Sequence, residues 1–132
     1  MDDSRQMASD DAVALARAAA EAIRGLNHAT RCDAGLGQPS AAYDVIGALS
    51  LAASRLGQLL TQITGYLDRA LHAGRLGHDL GEDPAPDING AGIFLGDARR
   101  SAAALAGDLS QAQQQLAYVN GCPARRNPQD QP

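Results

Sequence analysis

Residues 43–67, YDVIGALSLAASRLGQLLTQITGYL, decide the fold. Within them and just beyond, Val45, Leu49, Ala52, Leu56, Leu59, Ile63, Tyr66 and Ala70 recur at alternating steps of four and three. An α-helix turns once every 3.6 residues, so this spacing gathers all of these side chains on one face. A second row, Ile46, Ala53, Leu60 and Leu67, runs beside the first and widens the stripe to three positions in seven. A stripe of that width suits a helix buried against two neighbours better than a two-stranded seam. Ser40 can cap the helix and Gly74 can stop it after Ala73. At about 1.5 Å per residue the helix is roughly 50 Å long.

The same reading extends in both directions. Residues 74–87, GRLGHDLGEDPAPD, form a loop by their glycine, proline and charge content. Asp87 can then cap a helix reaching about Asn120, in which Ile88, Ala91, Leu95, Ala98, Ala102, Leu105, Leu109, Ala112, Leu116 and Val119 again step by three and four. On the other side, residues 31–39, RCDAGLGQP, make a connection. Before it, Ser9 or Asp10 can cap a helix that ends near His28 to Ala29, with Ala12, Leu15, Ala19, Ala22, Ile23 and Leu26 on one side. Arg17, Glu21 and Arg24 fall on the other. Residues 1–8 are expected to be disordered, 9–120 to form one helical bundle domain, and 121–132 to be a disordered tail. The fold class expected is all-α: an up-down-up antiparallel three-helix bundle with two long helices, the first helix lying in their groove. Leu56 and Leu105 are expected in its core.

Composition excludes several classes. The chain has 132 residues, 45% of them hydrophobic but only 3% aromatic, and a formal net charge of -4. No apolar run approaches the roughly 18–20 residues of a membrane span. The first twenty residues hold no basic-then-apolar sequence of a secretory signal. The acidic balance argues against a dedicated nucleic-acid binder. Two cysteines supply neither a zinc-finger framework nor a disulfide scaffold. A cytoplasmic helical protein is the expectation.

Several residue groups could carry chemistry. GAGIFLG at 90–96 has the glycines of a nucleotide loop, but no strand precedes it and the spacing is wrong. Small residues at a close helix contact explain it better. His28, Cys32, Asp33 and Cys122 fall at one pole of the bundle, where a disulfide or a metal site is conceivable, and two unrelated free thiols are the plainer reading. His72, His78, Asp79, Glu82, Asp83 and Asp87 gather at the other pole. Imidazole and carboxylate together can bind metal or move protons, yet no nucleophile with its base stands out and calcium-hand spacing is missing. Arg99, Arg100, Arg125 and Arg126 could touch phosphate, but scattered arginines in an acidic chain more often keep a surface soluble. No enzyme, cofactor or metal is expected from these groups, and no small-molecule substrate.

The outer side of the long helix at 40–73 is different in kind. Ser50, Leu51, Ser54, Gly57, Gln58, Thr61, Thr64 and Gly65 make it small, neutral and free of repelling charge. Gln111, Gln113, Gln114 and Gln115 add amides on the third helix. Glycines inside the two long helices (Gly47, Gly57, Gly65, Gly92, Gly96 and Gly107) each cost up to about 1 kcal/mol relative to alanine. An alanine-rich core stabilises weakly, so burial between copies is a natural remedy. The expected partner-binding strip is Leu51, Arg55, Gly57, Gln58, Thr61, Gly65 and Asp68, taken by a second copy or by a helical protein partner.

NHAT at 27–30, the segment at 43–67 and HAGRLGHD at 72–79 together resemble a group of uncharacterised short helical proteins of streptomycetes and related actinobacteria. The likeness covers about residues 10–119. All eleven basic residues are arginine, and a chain rich in alanine, arginine and glycine without lysine fits a high-GC genome of that kind. The resemblance implies an intracellular accessory protein and carries over no catalytic or binding residue. The expected function is therefore a non-enzymatic helical-bundle interaction protein. Two alternatives stand beside it: an accessory regulator of DNA transactions in a mobile element, and a small thiol or metal sensor built on His28, Cys32 and Cys122.

Overall fold

The computed structural model describes residues 2–122. It is all-α: α1 spans Asp2–Ala29, α2 spans Pro39–His72 and α3 spans Ala85–Gln115, with a short 3-10 turn at Asp33–Gly35 between the first two. Among the described residues there is no strand. The helices run up, down and up, and α2 is unbroken at Gly57.

Local chemistry sets the ends. α1 begins at Asp2, earlier than a cap at Ser9 or Asp10 would place it, so the segment expected to be loose is helical from its second residue. Asp2 and Asp3 meet the positive end of the helix, and Gln6 donates to the Asp10 carboxylate at 3.1 Å. α2 starts one residue before Ser40, with Pro39 in the first turn where a missing N–H costs nothing. Its far end is a Schellman closure. Gly74 takes a φ of +69°, its N–H donates to the Leu71 carbonyl at 3.1 Å, and the Arg75 N–H donates to the Ala70 carbonyl at 3.0 Å. α3 begins at Ala85, whose N–H donates to the Asp83 carboxylate at 3.0 Å, and it closes at Gln115 rather than near Asn120.

The extensive helix contact is between α2 and α3. Ser50 Oγ donates to the Ala106 carbonyl at 2.8 Å, Arg99 Nη1 donates to Thr61 Oγ1 at 3.2 Å, and Gln113 Nε2 donates to the Tyr43 carbonyl at 3.3 Å. These three contacts fix an antiparallel register. They also show which face of α2 meets α3: Ile46, Ser50, Ala53, Gly57, Leu60, Thr64, Leu67 and Leu71, all buried or half-buried. Among the described residues the buried hydrophobics are four alanines, Ala53, Ala70, Ala102 and Ala106.

That seam corrects the expected core. Leu56 is 43% exposed and Leu105 is 51% exposed. The helices meet on the row in which Ser50, Ala53 and Gly57 sit among Ile46, Leu60, Leu67 and Leu71. Its small members let two backbones approach until the Ser50 hydroxyl reaches a carbonyl of the other helix. A helix pair joined on that row leaves the bulkier row on its shoulder. Gly47 belongs to the same close approach, since a Cβ there would collide with the Gln113 amide.

α1 runs antiparallel to α2: Asp2, Arg5, Gln6 and Ser9 share an open cleft with Tyr66 and Arg75. None of its residues is buried, and only Leu26 is half-covered. Half of its stripe is alanine, and two of its three larger members, Leu15 and Ile23, stay exposed, so little area holds it down. It lies beside the hairpin and does not fill the α2–α3 groove. The tail after Cys122 lies outside the described residues.

Candidate partner surface

The expected strip divides when placed on this fold. Leu51, Arg55, Gln58 and Asp68 are exposed, as expected of a contact surface. Gly57 and Thr61 lie on the shoulder against α3. A Cβ at Gly57 would stand 4.0 Å from Arg99 Cγ, and Thr61 accepts from Arg99 while donating to the Gly57 carbonyl at 3.1 Å. Gly65 lies under the Arg69 guanidinium, 2.9 Å from where a Cβ would be. Arg99, one of the scattered arginines, thus holds two helices together. Of the glutamines, Gln113 is half-buried at the seam.

A second surface forms where a core was expected. Ala52, Leu56, Leu59, Ile63 and Tyr66 of α2 all lie on the side of the seam away from Thr61 and Arg99. Phe94, Ala98, Ser101 and Leu105 of α3 lie on that same side, because the two helices are antiparallel and the register is fixed. The two rows make one face, apolar except for the Ser101 hydroxyl and the phenol of Tyr66, which borders the α1 cleft. Leu59 is 47% exposed, Ile63 39% and Phe94 75%. The sequence holds the signal for this face in the three-in-seven stripe, which asks for two neighbours, of which α3 is one.

The other groups stay apart. Cys32 and Cys122 are both free and exposed. Gly121 packs on Pro39, its Cβ position 3.5 Å from Pro39 Cδ, so the end of the described chain returns to the pole that carries Cys32. At the other pole His78 Nε2 lies 3.0 Å from Asp87 Oδ2, and its Nδ1 accepts from the Leu80 N–H at 3.1 Å. The ring thereby pins the loop to the start of α3. His72 turns back on its own helix, 2.7 Å from the Asp68 carbonyl. Among the described residues no group of three or more His, Cys, Asp or Glu side chains is placed to hold a metal ion. Arg125 and Arg126 lie outside the described residues. No described helix is long and apolar enough to cross a membrane.

No family model, curated protein or solved structure matches the chain.

Proposed function

We propose that the protein is a cytoplasmic, non-enzymatic interaction module, a helical platform that self-associates or docks a helix of a partner protein. One observation carries this reading: the apolar face shared by Leu56, Leu59, Ile63, Phe94 and Leu105 is exposed along both long helices. Contiguous apolar surface beyond a few hundred Å² marks interaction sites in folded proteins. Seven-residue patterning gives the face the groove that an apolar helix stripe fills. Ser101 and, at its end, Tyr66 add hydroxyls to it and no charged side chain interrupts it, whereas a catalytic cleft combines an apolar wall with convergent polar groups.

The test places a photo-reactive p-benzoylphenylalanine at Leu59, and separately at Gln58, in the cell that makes the protein. The expected result is covalent adducts, to itself or to another protein, from position 59 and not from 58. An uncrosslinked chain at both positions overturns the reading.

A further inference from the structure

We infer that the apolar face of the α2–α3 hairpin is closed by the same face of a second copy, giving a symmetric dimer with an antiparallel four-helix centre. This deepens the interaction reading and rests on it, by naming the partner.

Surface area supplies the first argument. A folded monomer of 13.6 kDa exposes about 6,600 Å² by the usual scaling of area with mass. This chain exposes 10719 Å², an excess of about 4,000 Å² over that scaling. α1, none of whose residues is buried, carries part of that excess, and the exposed face of the hairpin carries another part. Obligate dimers bury about 2,000–5,000 Å² in total, so the uncovered surface leaves room for such an interface.

Shape supplies the second. On α2 the face carries large side chains, Leu56, Leu59 and Ile63. On α3 it carries the small Ala98 and Ser101 between Phe94 and Leu105. The Ser50–Ala106 and Thr61–Arg99 contacts set Leu56 level with Ser101 and Leu59 level with Ala98. The hairpin therefore presents a ridge on one helix and a matching gap on the other, at the same height. A two-fold axis parallel to the helices lays the ridge of each copy in the gap of its mate. A serine within a helix can donate its hydroxyl to the carbonyl four residues back, so covering Ser101 strands no donor.

Charge selects that axis over the alternative. The outer edge of the face bears Arg55 on α2, and Asp97 and Asp108 on α3, all exposed. Asp97 also meets Arg100 in its own turn. With α2 over the mate's α3, Arg55 lies opposite a pair of aspartates. With α2 over α2, arginine faces arginine and aspartate faces aspartate. The first arrangement attracts and the second repels.

Sedimentation equilibrium of the full chain tests the proposal, alongside Leu59→Glu, Ala98→Glu and, on the opposite shoulder, Gln58→Glu. The expected result is a mass of twice 13.6 kDa for the parent chain and for Gln58→Glu. Leu59→Glu and Ala98→Glu should each weaken the dimer at least a hundredfold while keeping the helical circular dichroism of the parent. Arg55→Asp should weaken it about tenfold, and Arg55→Asp with Asp108→Arg should recover most of the loss. A parent chain that stays monomeric at high micromolar concentration overturns the second copy. If position 59 still crosslinks to another protein in cells, the interaction reading survives that result, and if it does not, both fall. A dimer indifferent to Leu59→Glu and Ala98→Glu removes this face from the contact and overturns the proposal. Should either glutamate variant lose its helical signal, the Arg55 and Asp108 exchange decides alone: no weakening in the single variant overturns the proposal.

Discussion

The seam between α2 and α3 is written in small side chains. Ala53, Ala102 and Ala106 are buried, and each contributes far less area than a leucine would. Their value is clearance, which lets Ser50 Oγ reach the Ala106 carbonyl at 2.8 Å. Enlarging a seam residue therefore harms more than trimming a shoulder residue. Ala53→Leu should destabilise the chain by about 1–3 kcal/mol through overpacking. Ser50→Ala should cost about 0.5–1 kcal/mol, since the Ala106 carbonyl keeps its place in the helix ladder. Leu56→Ala, at a site 43% exposed, should fall below the roughly 2–5 kcal/mol of a fully buried leucine. Urea unfolding of dilute protein measures all three, and Leu56→Ala costing more than Ala53→Leu would show that the leucine row is the intramolecular core.

At the level of the helix, the glycines fall into two kinds. Gly47 lies under the Gln113 amide, so Gly47→Ala must displace an interhelical contact. Gly25, Gly90 and Gly107 have nothing within 4 Å of a Cβ, and each alanine there should stabilise its helix by about 0.5–1 kcal/mol. In thermal melts Gly47→Ala should gain less than Gly107→Ala, because it displaces the Gln113 amide from the Tyr43 carbonyl, and an equal gain would show that this contact contributes nothing. The existence and order of the helices were legible in the periodicity, as was the stop at Gly74, where a left-handed closure needs glycine, while the start of α1 and the end of α3 were not. Which of two adjacent rows faces α3 was not legible. Leu49–Leu56–Ile63 and Ile46–Ala53–Leu60 are both regular at helical spacing, and hydrophobicity alone favours the bulkier one. Close approach favours the smaller, and the partner helix decides. The same ambiguity moved Gly57 and Thr61 from an outer strip to the shoulder of the seam, and turned Leu56, Leu59 and Ile63 from core into candidate contact surface. α1 was legible as a helix but not as a loosely attached one, because its stripe of alanine, Leu15, Ile23 and Leu26 reads the same whether covered or open.

For the molecule as a whole, folding and association should be linked equilibria. Ordering a residue costs about 1–2 kcal/mol of backbone entropy, and against that cost the described residues set four buried alanines and a seam of half-buried leucines. α1 adds no buried residue to it. A chain with this balance gains its margin from whatever covers the leucine face, and anything that binds the folded state alone makes the melting temperature depend on its concentration. For a dimer the ligand is the chain itself. Each tenfold rise in protein concentration then adds about 1.4 kcal/mol, which for a dimer of about 260 residues corresponds to roughly 2–4 °C in Tm. Circular dichroism melts from 1 to 100 micromolar should therefore shift upward by roughly 4–8 °C, counting two decades at that rate. Leu59→Glu should melt at a lower temperature that does not move across the same series. A parent Tm independent of concentration would mean that the α2–α3 seam and the α1 contact suffice, and that the exposed leucines contribute nothing to holding the fold.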